Sequence, residues 1–95
     1  TQAYLDYETY RVLSREISKA ISTDNHVEPN VLDELIAVNP NYWEAYYLVG
    51  TYYYKKHYYT AALQAFEKAQ TKEITTVPDQ QHIDWYIKKI KNKLK

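Results

Sequence analysis

Twelve tyrosines, two tryptophans and three histidines, in a chain of 95 residues with no cysteine, are the side chains whose chemistry could define a function. His26, His57 and His82 could act as acid–base groups or metal ligands. No two of them stand at the i, i+4 spacing that brings ligands together on a helix, and the chain has no thiolate to complete a site. The single glycine, Gly50, excludes a glycine-rich phosphate cradle and a serine nucleophile elbow. Acidic pairs such as Asp33–Glu34 fall on polar helix faces. The residues therefore predict no catalytic centre, no cofactor and no metal. Tyrosine offers something else: a large rigid face with a hydroxyl at its tip, well suited to recognising another molecule.

Charge narrows the partners. Twelve basic residues balance twelve acidic ones, so no global field draws the chain to nucleic acid or to an anionic membrane. The exception is local. Lys88, Lys89, Lys91, Lys93 and Lys95 crowd the last eight positions, leaving seven basic residues against twelve acidic in 1–87, a net of −5. Lysines there suit a helix C-terminus and a solvated tail. The sharper alternative is contact with RNA or an anionic membrane, assisted by Trp85 and Tyr86. No apolar run approaches the ~20 residues of a membrane span, and no signal-peptide pattern is present. The absence of methionine suggests a piece of a longer protein, whose compartment the sequence leaves open.

The elements that would carry these residues are helical. Tyr10, Leu13, Ile17 and Ala20 or Ile21 recur at spacings of three and four, predicting a helix over 3–22, which Tyr4 and Tyr7 extend. A polar loop follows over 22–28. Pro29 suits the first turn of a short second helix carried by Leu32, Leu35 and Ile36, which must end before Pro40. Asn41 and Glu44 form a capping-box pair for a third helix reaching about Lys56. His57 occupies the turn. Thr60 is expected to cap a fourth helix to about Lys72. Thr76 and Asp79 would open a fifth, with Ile83, Ile87, Ile90 and Leu94 on one face. The third helix is apolar nearly all round, so it should be buried on more than one side.

Gly50 interrupts that helix at a cost of about 1 kcal/mol relative to alanine, which calls for a packing reason. The residues around it supply one. Tyr46, Val49, Gly50 and Tyr53 precede Ala62, Phe66 and Ala69, so small residues on two successive helices would meet with aromatics beside them. This spacing resembles the 34-residue tetratricopeptide repeat. With Trp43 as the first position, the large, small and aromatic residues fall in register; only the closing proline is missing, its place held by Ile74. Pro40 closes a preceding unit in which Glu16 and Glu28 stand where small residues belong. The resemblance implies an all-α antiparallel stack of about five helices: a clear repeat over 41–74, a degenerate one over about 3–40, and a C-terminal capping helix over about 77–93, all one domain. It also puts a turn glycine at the position of His57, which implies a left-handed backbone there.

The resemblance also implies a function. First helices of such repeats line a groove for an extended or helical peptide, and the groove positions here would be Glu44, Tyr47, Leu48, Thr51, Tyr54 and Lys55. The lysine, arginine and asparagine set that clamps acidic chaperone tails is not matched. The expected role is a non-catalytic protein-interaction domain, with a protein or peptide as partner and a homodimer as one form of it. A different class is an accessory domain docked on the catalytic part of a larger enzyme through the same aromatic surface. A more conservative expectation is that Tyr47 and Tyr54 simply pack on the first or fifth helix.

Overall fold

A computed structural model describes residues 2–72 and 77–95, with side chains at 7–72 and 78–95. It is all-α: α1 (Gln2–Thr23), α2 (Pro29–Val38), α3 (Trp43–Lys55), α4 (Tyr59–Gln70) and α5 (Val77–Leu94) follow in order. The joints are short, which turns each helix back against its predecessor. The result is an antiparallel stack with extents of 47 × 30 × 18 Å, a slab about two helix diameters thick. α1, α3 and α5 lie side by side along one layer, with α2 and α4 behind them.

Two cores meet at α3. The first gathers Tyr10, Leu13, Ile17 and Ala20 of α1, Leu32 and Leu35 of α2, and Ala45, Val49 and Tyr52 of α3. The second joins Tyr46 to Ala62, Phe66 and Ala69 of α4 and Ile83, Ile87 and Ile90 of α5. The predicted apolar stripes of α1, α2, α4 and α5 are the buried ones, with three exceptions among the described residues. Leu94 lies 46% exposed at the end of α5, and Ile36 is only partly buried. Tyr7, expected to extend the α1 face, is 63% exposed because the described core of α1 begins at Tyr10. α3 explains its own composition: a helix that feeds a core on each side has little room for a polar face.

Gly50 does allow a close approach of α4, but the atoms nearest it belong to the Phe66 ring and not to Ala62, the small residue that the spacing paired with it. A methyl group added there would lie 3.0 Å from Cε2 and Cζ of Phe66 and 3.1 Å from Cδ1. Cδ1 and Cε2 are para to one another, so the group would sit over the ring face. The α2–α3 joint is held by Tyr46, whose hydroxyl donates to the Pro40 carbonyl at 2.7 Å.

Two local expectations are corrected. α3 begins at Trp43 with Tyr42 as its N-cap and no side-chain cap, so Asn41 lies outside it. Glu44 then falls one position too early for a capping box, and its carboxylate is taken by tyrosine hydroxyls instead. α4 begins at Tyr59 after an N-cap at Tyr58, which places Thr60 inside the helix. His57 is left-handed as expected, with φ 66°, and Asp24 joins it with φ 57°. The proposed cap Thr76 and the repeat-closing Ile74 lie outside the described residues.

Candidate functional site

The six groove residues inferred from sequence fall at steps of three and four along α3, on one face about a third of its circumference wide. They differ in which neighbour they turn to. Glu44, in its first turn, points toward α1. Tyr10 donates to Glu44 Oε1 at 3.1 Å and Tyr42 to Oε2 at 3.3 Å. Burial, and then the Glu44 charge, push the Tyr10 hydroxyl well above its ordinary range, and the same two causes raise Tyr42 more mildly. Both phenols are therefore neutral donors at physiological pH. Tyr10 and Tyr42 also touch ring to ring, with centroids 5.7 Å apart at 53°. With Tyr7, Arg11, Ser14, Val38 and Asn39 they line a cleft of about 550 Å³ beside α1.

Tyr47 and Tyr54 turn the other way. Tyr47 meets Tyr86 of α5 at 6.1 Å and Phe66 at 5.9 Å, both edge to face, and Tyr54 meets Tyr86 at 5.2 Å. Tyr86 itself stacks on Phe66 at 4.7 Å and 8°. Such pairs add about 0.5–1.5 kcal/mol each beyond their buried area. Packing against the fifth helix therefore accounts for part of both tyrosines, as the more conservative sequence reading expected. Each remains half-buried rather than enclosed. Burial, followed by the charge of its aromatic neighbour, raises the Tyr47 and Tyr86 hydroxyls above the usual tyrosine range. A second cleft of about 590 Å³ opens here, lined by Tyr47, Gln81, His82, Trp85 and Tyr86.

The remaining three groove residues share the same face. Leu48 is partly buried against the first core. Thr51 donates its hydroxyl to the Tyr47 carbonyl at 2.8 Å, a bond internal to the helix. Lys55 is exposed in the last turn. The structure thus joins Tyr47 and Tyr54 to α5 at one edge of that face and Glu44 to α1 toward the other.

Sequence reasoning passed over several cleft residues. Tyr10 was assigned to the core face, and it is buried there, but its hydroxyl reaches back across 34 positions to Glu44. Tyr42 adjoins the helix start. Trp85 and Tyr86, which in sequence adjoin the basic tail, wall the α3–α5 cleft. Trp85 is 53% exposed and carries Lys89 Nζ at 5.3 Å from its ring centre. The signal available was the spacing of Gln81, His82, Trp85 and Tyr86, which share one side of α5 away from the isoleucine stripe.

His26 Nε2 lies 3.6 Å from Glu28, and His57 Nδ1 hydrogen-bonds the Tyr59 hydroxyl at 2.7 Å. Among the described residues no three metal-ligating side chains converge, and no helix is long and apolar enough to cross a membrane. No protein-family model, curated protein or solved structure matches the chain.

Proposed function

We propose that this chain is a protein-interaction domain of the tetratricopeptide-repeat type, binding a peptide segment of its partner along the layer formed by α1, α3 and α5. The observation that carries the reading is the α3–α5 cleft. Trp85 stands more than half exposed at its edge, and Tyr47 and Tyr86 stay half-buried, although a fully satisfied core would have closed over them. Tryptophan and tyrosine are the side chains most enriched at binding hot spots. Here the helix pairs behind them hold the rings in place before binding, which lowers the ordering cost. In this reading Tyr47 and Tyr86 supply apolar area, Trp85 the anchor, and Gln81 and His82 the polar register.

The test is selection from a random-peptide library on the wild-type domain, followed by affinity measurement against Trp85→Ala. Trp85 is exposed on a helix whose core contacts come from other residues, so the variant keeps its fold, which circular dichroism checks. The expected result is a common peptide pattern whose affinity falls tenfold or more in Trp85→Ala, the magnitude of a hot-spot aromatic. Selected peptides that bind wild type and Trp85→Ala equally would overturn the reading.

A further inference from the structure

We propose that the cleft between α1 and the start of α3 is a cation site that takes an alkylammonium group. On the reading of this chain as a peptide-binding domain, which this inference rests on, the group is a lysine or methylated-lysine side chain of the bound peptide.

The argument begins with Glu44. Its two oxygens each accept one phenolic proton, from Tyr10 at 3.1 Å and from Tyr42 at 3.3 Å. Those bonds use two of about four acceptor positions on a carboxylate, so a further donor can still be received. They also pin the negative charge beside the rings that donate to it. The Tyr10 ring is buried in the first core and touches Tyr42 at 53° with centroids 5.7 Å apart, so it backs the site. The ring surface open to the cleft is that of Tyr42, 37% exposed. Tyr7, 63% exposed, stands at the mouth of the same cleft. The exposed faces of Tyr7 and Tyr42 beside a fixed carboxylate superpose two attractions for one kind of guest. Each ring face draws a cation by about 0.5–2 kcal/mol, more as water is excluded.

The charges around the cleft select the same guest. Arg11 is the cation in the lining. Its side chain is 54% exposed, and its Nη2 lies 3.8 Å from Glu8 Oε2, which offsets much of its field. An anionic guest would meet Glu44 at the floor of the cleft. A neutral apolar guest would strip water from that carboxylate and return nothing for it. An alkylammonium returns the lost solvation as charge attraction and presents its methylenes or methyls to the rings.

The experiment uses choline and its neutral carbon isostere 3,3-dimethylbutan-1-ol, titrated separately into the ¹⁵N-labelled domain while amide shifts are followed. Choline should move the amides of Tyr7, Tyr10, Tyr42 and Glu44, and the alcohol should bind at least tenfold more weakly. Glu44→Gln keeps an acceptor for the phenols but removes the charge, and should weaken choline about tenfold. Tyr7→Ala, at an exposed position that leaves the core intact, should weaken it severalfold. Equal binding of choline and the alcohol, shifts confined to other surfaces, or indifference to both substitutions would overturn the inference. Peptides selected as above separate the two claims. Selected peptides that depend on Trp85 but show no lysine enrichment and no Glu44 dependence would sink the lysine assignment and leave the interaction reading standing. Choline bound in this cleft, together with peptides indifferent to Trp85→Ala, would uphold the cation site and remove the interaction reading.

Discussion

Gly50→Ala should destabilise this protein, although the same change inside most helices does the reverse. Replacing a mid-helix glycine by alanine is ordinarily worth about 1 kcal/mol of helix propensity. Here the new methyl would lie 3.0–3.1 Å from three ring carbons of Phe66, over the face of the ring. Real contacts of this kind require several tenths of an ångström more. Phe66 has little freedom to provide them. It is fully buried, its ring is stacked on Tyr86 at 4.7 Å, and Tyr47 closes on it at 5.9 Å. Overpacking a closed core costs about 1–3 kcal/mol, so after subtracting the propensity gain the net loss is about 1 kcal/mol. For a domain of this length that lowers Tm by roughly 4–8 °C. Urea and thermal unfolding followed by circular dichroism would measure it. Phe66→Leu gives the control: combined with Gly50→Ala, the double variant should recover at least about 1 kcal/mol of coupling relative to the summed single losses. A Gly50→Ala protein stabilised by the full propensity increment, with no coupling to position 66, would refute the account of close α3–α4 approach.

Two further outcomes follow from hydroxyl groups. Tyr52 receives the Val27 N–H at 2.8 Å on its Oη and donates its own proton to the Val27 carbonyl at 3.3 Å, in a buried setting. Tyr52→Phe would leave that N–H unpaired and should cost about 1–3 kcal/mol in urea unfolding, with faster amide exchange at Val27; unchanged exchange there would contradict it. Tyr10, Tyr42, Tyr47, Tyr53 and Tyr86 all ionise above the ordinary tyrosine value of 10.0, mainly because burial disfavours the phenolate. The unfolded chain therefore releases these protons first as pH rises. The stability they contribute is whole below about pH 10 and is lost progressively above it. Denaturation midpoints between pH 8 and 11.5 should fall on the alkaline side, and Tyr10→Phe should flatten that fall; a profile unchanged by Tyr10→Phe would remove Tyr10 from the explanation.

The helices and their buried stripes were readable from residue order alone. Ile83, Ile87 and Ile90, or Leu13 and Ile17, repeat at the helical period among charged neighbours, so which side turns inward follows from local geometry. A close approach at Gly50 was readable for a similar reason, since a glycine inside a helix implies a neighbour that needs the room. That the neighbour is the Phe66 ring, where the spacing pointed to Ala62, was decided by packing. The left-handed backbone of His57 followed from the repeat resemblance, which puts a turn glycine at its position.

The direction of each tyrosine on α3 was decided only in three dimensions. A helix apolar on nearly every side has no periodicity to say which ring faces which neighbour. Tyr47 and Tyr54 went to α5 because Tyr86 stands there, and Tyr52 went to the loop at Val27. Glu44 shows the same division. Its position near a helix start suits a cap, but a cap competes with every other donor within reach, and the fold delivered the Tyr10 hydroxyl from 34 residues away. Local spacing determines which residues form a helix and which face it buries. Where several polar or aromatic partners are open to one side chain, tertiary packing chooses among them, because the distances that settle the choice exist only once the helices have met.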